Sequence, residues 1–158
     1  MSEPPWLTVE QQAAWRAFLT AKQLLERAME RQLLRDSGMP HAYYEILVRL
    51  SERPDRCLRM SDLAAVMGYS QSRLSHAVAR LEDAGWVRRE SCPADRRGTF
   101  AVLSDAGFAA LATAAPGHVR AVRELMFDQL TDQQVQQLQE ICEAITHAIG
   151  SELGRDGS

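Results

Sequence analysis

Between Thr8 and Gly38 apolar side chains return every three or four positions. Phe18, Ala21, Leu25, Ala28 and Met29 lie at helical spacing, and Trp15, Leu19, Leu24, Leu33 and Leu34 widen the apolar face. Thr8, with Gln11 three residues on, reads as a capping box at the start, and Ser37-Gly38 as the stop. A face this wide is more than one flank of a small monomer buries, so the helix is expected to pack on its own domain and on something further. A second helix, "HAYYEILVRLSE", is expected after Pro40 and before Pro54, followed by a basic loop, "RPDRCLR".

A short third helix is predicted from Ser61 to Gly68, and a fourth from Ser70 to Gly85, a glycine suited to a left-handed cap. Leu63, Ala64, Met67, Leu74, Val78 and Leu81 give the two helices and their three-residue turn the apolar pattern of a helix-turn-helix. "WVRRESC" then alternates and is rich in strand formers, "PADRRG" reads as a turn, and "TFAVL" as a returning strand. Ser104 caps a helix through Phe108, Leu111, Val119, Val122 and Leu125, which Pro116-Gly117 is expected to kink or interrupt. Thr131, with Gln134, opens a last helix with the stripe Leu138, Ile141, Ile145 and Ile149, and the tail "GRDGS" is expected to fray. The predicted fold class is mainly α with a small β-hairpin wing, a winged helix-turn-helix with long flanking helices.

At 158 residues, 46% apolar and 25% charged, the chain fits one folded domain or one domain with an oligomerisation segment. No signal-peptide pattern and no membrane-length apolar run is present, so a cytoplasmic protein without membrane association is expected. Charge changes the picture more. The net charge is −3, yet residues 53–97 hold nine basic and six acidic residues, against six and seven before them and three and eight after. A segment of net +3 between segments of −1 and −5 suggests a polyanion-facing middle.

That middle contains the candidate chemistry. If Leu74, Ala77, Val78 and Leu81 are the buried face of the fourth helix, then Gln71, Ser72, Arg73, Ser75, His76 and Arg80 point outward. With Ser70 at the cap, they place hydroxyls, an amide and cations on the half of the helix that enters a major groove in this motif. Hydroxyls and a helix N-terminus suit phosphate oxygens, and Arg and Gln suit base edges. At the hairpin tip, Arg96 and Arg97 suit a narrow minor groove, with Asp95 able to orient an arginine by a bidentate pair. The bland alternative is a solvated helix face and a water-soluble loop.

The run "LAAVMGYSQSRLSHAVARLEDAGWVRRESCPADRRGTFAVLSDAG" resembles the MarR family of winged helix-turn-helix regulators. The most specific part is Asp95, Arg97, Gly98, Leu103, Ser104 and Gly107, and the long flanking helices extend the resemblance to almost the whole chain. It implies a homodimer, with 1–38 as an N-terminal dimerisation helix, 39–103 as the DNA-binding region, and 104–158 as C-terminal dimerisation helices of one intertwined domain. It implies Arg97 as the minor-groove arginine and a near-palindromic double-stranded DNA operator. The expected function is a sequence-specific transcriptional regulator, a repressor released by a small amphipathic or phenolic effector. Trp15, Tyr43 and Tyr44 are the candidate effector residues, with ordinary core as the competing reading.

No cofactor and no metal are expected, because His41, His76, His118 and His147 include no HxxxH pair and none lies near a cysteine in sequence. No Gly-rich phosphate loop or local nucleophile–base grouping points to an enzyme. Cys57, in the basic loop, and Cys92, beside the wing, keep a cysteine-based redox sensor open, since nearby cations lower a thiol pKa. A winged-helix protein–protein adaptor that binds no DNA is the other alternative.

Overall fold

The computed structural model describes the backbone of residues 6–92 and 95–153, and the side chains of 6–91 and 98–150. In order, the elements are α1 (Val9–Ser37), α2 (His41–Ser51), β1 (Cys57–Arg59), α3 (Met60–Met67), α4 (Gln71–Asp83), β2 (Val87–Cys92), β3 (Asp95–Leu103), α5 (Asp105–Leu125), a 3-10 turn (Phe127–Gln129) and α6 (Asp132–Leu153). The chain divides into two compact units, 1–118 and 119–158. The second holds the end of α5, the 3-10 turn and α6.

Local chemistry sets the boundaries. Thr8 accepts from the Gln11 backbone while the Gln11 side chain accepts from the Thr8 backbone, so both predicted halves of the capping box form, and Gly38 closes α1 at φ 65°. Thr131 and Gln134 repeat the box at α6. Gly68 ends α3 with φ 63°. Gly85, at φ 73°, turns the chain from α4 into β2, one residue after the Ala84 cap.

Three features differ from the sequence reading. The loop "RPDRCLR" contributes β1, so the sheet has three strands in the order β1-β3-β2 rather than being a lone hairpin. Cys57 pairs with Val102, Leu58 with Ala101 and Arg59 with Phe100. Three residues are too few to show alternation, and the partner strand supplies the order. The "PADRRG" turn is shorter than expected, because β3 already begins at Asp95 and runs back along β2, with a register shift at Ser91/Cys92. Pro116 does not interrupt α5, which continues through it as one helix. A proline removes one backbone donor, and the hydrogen-bonded turns on either side continue past it.

The core of the first unit gathers one face from each element. Leu33, Ile46, Leu47, Leu50, Leu63, Leu74, Val78 and Leu81 have no solvent exposure, and Ala101 and Leu103 close the core from the sheet. The wing is joined to α5 at a tight corner. The Ser104 backbone N–H donates to the Trp86 carbonyl at 3.0 Å, and the Ser104 hydroxyl donates to the Gly85 carbonyl at 2.7 Å. The same hydroxyl oxygen accepts from Gly107 N–H at 3.0 Å, which caps α5. A Cβ at Gly107 would overlap the Trp86 carbonyl oxygen and lie 2.8 Å from Leu103 Cδ1. This contact gives the Leu103-Ser104-x-x-Gly107 pattern its physical reason.

Gly107→Ala should therefore destabilise the chain by about 3 kcal/mol, the upper range for overpacking, because backbone rather than a flexible side chain must give way. Ser104→Ala should cost about 1 kcal/mol as a lost cap. Urea unfolding of both variants, read by far-UV circular dichroism, measures the difference.

Candidate nucleic-acid interface

The face of α4 opposite the core is the candidate interface. Leu74, Ala77, Val78 and Leu81 are buried, and Gln71, Ser72, Arg73, Ser75, His76 and Arg80 are all exposed. Ser70 is the N-cap, and its hydroxyl accepts from Arg73 N–H at 3.2 Å. That side chain therefore completes the first turn of α4, and the remaining N-terminal amides still carry the partial positive charge of a helix start. The Arg73 guanidinium lies over the Tyr69 ring, 3.8 Å from its centroid, a cation–π contact that steadies a long side chain without neutralising it.

Beside the start of α4 is a notch of about 250 Å3 lined by Arg59, Met60, Ser61, Gln71, Gly98 and Thr99. Arg59 lies over the Phe100 ring at 5.4 Å, and its Nη1 is 3.3 Å from where a Gly98 Cβ would stand. Gly98 thus leaves room for a cation at the base of the wing. The side chains of Asp95, Arg96 and Arg97, and of Cys92, lie outside the described residues, while the backbone of 95–97 belongs to β3.

Several cations of the basic middle are matched by acids. Arg56 pairs with Asp105 at 3.2 Å and covers the Phe108 ring at 4.0 Å. Arg88 pairs with Glu90 at 2.6 Å and Arg89 with Glu82 at 2.7 Å. Arg73 and Arg80 are exposed and form no ion pair with a described residue. Sequence reasoning missed the Arg89–Glu82 pair and the third arginine, Arg59. The signal for the pair was present: alternation along β2 places Arg89 on the buried side with Val87, across the Gly85 turn from α4.

The aromatic candidates differ in their settings. Trp15 is half exposed on α1, stacked on Phe18 at 6.0 Å, whereas Tyr44 is 6% exposed in the core. Tyr43 is partly buried against the same core. The larger described cleft, about 990 Å3, instead has walls from Lys22 to Arg31 of α1, His41, Ala42 and Glu45 of α2, and Met67, Gly68, Tyr69 and Arg73 at the helix-turn-helix bend. Cys57 also departs from expectation. Burial first, then Asp55 and Glu90, push its thiol pKa up, with only Arg88 opposing, so the basic loop does not activate it. Among the described residues no group of three or more His, Cys, Asp or Glu is placed to hold a metal ion, and no helix is long and apolar enough to cross a membrane.

Fold and site together define a winged helix-turn-helix protein. A MarR family model matches residues 37–98. The chain aligns with Sco3205 of Streptomyces coelicolor, a MarR family transcriptional regulator solved in complex with DNA, at a TM-score of 0.88 and 53% identity, covering 94% of this chain and 92% of that one. For AbsC, a MarR family transcriptional regulator of the same organism, the TM-score is 0.87 and the identity 40%, over 94% and 99% of the two chains. The HTH-type transcriptional regulator PecS of Dickeya dadantii (strain 3937) is 27% identical over 126 residues, 79% of this chain and 75% of PecS. The chain belongs to the MarR family of transcriptional regulators.

One ionisable pair was invisible in sequence. The His118 ring on α5 packs at a tilt against Tyr44, with centroids 4.4 Å apart, and against His41 at 5.6 Å. Nearby, Gln32 is buried, donating from Nε2 to Asp36 at 2.9 Å, and Glu30 accepts from His41 N–H at 2.7 Å. Burial, and then His41, hold the His118 pKa below its ordinary value. The unfolded chain therefore takes up this proton more readily than the folded one. The contribution of neutral His118 is complete above about pH 6.5 and is lost as the pH falls below it. Melting temperatures between about pH 7.5 and pH 5.5 should fall less steeply for His118→Phe than for the wild type.

Proposed function

We propose that this chain is a homodimeric, sequence-specific DNA-binding repressor released by a small amphipathic or phenolic effector. The observation that carries the reading is the division of α4, with one face wholly in the core and the other bearing exposed Gln71, Ser72, Arg73, Ser75, His76 and Arg80. The likeness to Sco3205, solved with DNA, supports it at 53% identity. In this reading α4 enters the major groove, Arg97 enters the minor groove with Asp95 orienting it, and Arg96 meets phosphate. The chain then works in the cytoplasm, is not an enzyme, and needs no cofactor or metal.

The dimer is argued from uncovered apolar surface. Trp15, Phe18, Leu19 and Leu24 on α1 are between 43% and 58% exposed, and Ile141, Ile145 and Ile149 on α6 between 50% and 56%. Patches of this kind mark association surfaces, and a second copy is the occupant proposed for both, with 1–38 and 104–158 as the dimerisation segments. The effector is placed in the 990 Å3 cleft, where Arg27 and Arg31 offer charge beside the apolar Leu24 and Met67. An occupant there would touch Tyr69 and Arg73, and so the start of α4.

Affinities for operator and scrambled duplexes at several salt concentrations test the proposal. Arg73→Ala and Gln71→Ala should each relax base preference by about 1–3 kcal/mol. Arg96→Ala should weaken binding to both duplexes and make the salt dependence shallower by about one unit per lost contact. Arg97→Ala should lower operator affinity most. Unchanged operator binding in a folded Arg97→Ala dimer would overturn the wing assignment, and a wild type that binds neither duplex would favour the adaptor reading. Sedimentation at micromolar concentration should give about twice the 17.7 kDa chain mass, and footprints should show half-sites about 10 base pairs apart.

A further inference from the structure

Arg89 stands on β2 but directs its side chain to α4. Its backbone N–H donates to Glu82 Oε1 at 2.9 Å and its Nη1 to Glu82 Oε2 at 2.7 Å, so both oxygens of one carboxylate are engaged. Its Nη2 donates to the Ser75 carbonyl at 2.7 Å and to the Ser75 hydroxyl oxygen at 3.1 Å. Ser75 and Glu82 are seven residues apart, about two helical turns and 10 Å along the axis. One guanidinium thus spans two turns of α4 from the side. The neighbours Arg88 and Glu90 point the other way and pair with each other, so the alternation of β2 dedicates Arg89 to the helix.

Three consequences follow from this geometry. The apolar face of α4 resists withdrawal from the core, but apolar contact is non-directional and resists rotation and sliding less well. The directional bonds from Arg89 fix both against the first strand of the wing. The cation is also matched by Glu82, and both side chains are only 30% exposed, so Arg89 is not available as a phosphate contact. Finally, the Ser75 oxygen accepts from a cation, which turns its own proton away from Arg89 and polarises it as a donor. Ser75 is exposed on the same face of α4 as Ser72, one turn earlier.

We propose that Arg89 is a positioning residue for DNA sequence discrimination, fixing the roll of α4 against the wing and orienting the Ser75 hydroxyl outward, without touching DNA. The proposal rests on the reading of α4 as the DNA-contacting helix. Its signature is a loss of discrimination with no change in the number of phosphate contacts.

The probe is a duplex selected by the wild-type protein from a randomised pool, with a scrambled duplex of equal length as reference, each titrated at several salt concentrations. Arg89→Met keeps the packing of the stem and removes all guanidinium donors; Arg89→Lys keeps the charge and loses the fork. The selected-to-scrambled affinity ratio should fall about tenfold for Arg89→Met and less for Arg89→Lys, within the range of one good bidentate contact. The salt slope should be unchanged in both. In a Ser75→Ala background the loss caused by Arg89→Met should be smaller than in the wild type. Equal weakening on both duplexes, a slope shallower by about one per chain, or fully multiplicative losses with Ser75→Ala would each overturn the inference. If thermal melting shows Arg89→Met to be unfolded, Glu82→Gln decides instead, since it loosens the guanidinium without removing it. An unchanged ratio there overturns the inference, and a ratio lowered severalfold supports it. A wild type that selects no preferred duplex would overturn the reading of α4 itself, whereas a discriminating wild type matched by Arg89→Met would overturn only the role of Arg89.

Discussion

Leu74, Val78 and Leu81 each have no exposure, and they lie at successive turns of a helix only 13 residues long. A shift of one position would rotate the helix by about 100°, carry Ser75 into an apolar core and lift Leu74 into water. Burying a hydroxyl without a partner costs about 1–3 kcal/mol, and exposing a leucine adds about 1.5–3 kcal/mol. The identity of the outward face is therefore decided by the core. The polar face is free to carry whatever chemistry a polyanion requires, because it has no structural duty beyond the Ser70 cap and the Ser75 contact.

The same division governs charge. An acidic chain attracts a polyanion only if its cations are concentrated and left unmatched where contact occurs. Arg56, Arg88 and Arg89 are matched by Asp105, Glu90 and Glu82, so their formal charge strengthens the scaffold and adds little outward field. Arg73 differs, because Tyr69 holds it by its face and leaves its edge donors open. Counting arginines along the sequence thus overstates the field of the middle segment.

Features that depend on neighbours in sequence were legible in the chain, and features that depend on distant partners were not. The caps at Thr8, Ser70, Ser104 and Thr131 act over three residues and were readable, as were the buried stripe of α4, the stop at Gly38 and the left-handed Gly85. Strand β1 was not, because Cys57, Leu58 and Arg59 become a strand only when Val102, Ala101 and Phe100 of β3, 41 to 45 residues later, arrive beside them. His41 and His118 face each other through the packing of α2 with α5, and nothing at their spacing announces it. An interruption at Pro116 was over-read for the opposite reason: the loss of one backbone donor does not end a helix whose turns continue on both sides. The cleft beside α1 includes Tyr69 and Arg73, which no local pattern marks as neighbours of α1, while Tyr44 joins the core.

The long helix α1 shows the same dependence on distant partners. Its 29 residues extend about 43 Å, and only Met29, Gln32 and Leu33, all in its last third, are buried. The turns before Leu25 gain little from the core of their own unit, and helix propensity alone is a weak support. Their large apolar residues, Trp15, Phe18, Leu19 and Leu24, would be poor choices for a helix meant to stand in water. On the proposed dimer the partner supplies the missing packing, and folding of this segment and association become a single equilibrium that depends on protein concentration. The reading region would then inherit its two-fold geometry from helices that never touch DNA. Occupancy of a cleft walled by both α1 and the start of α4 would act on the same joint.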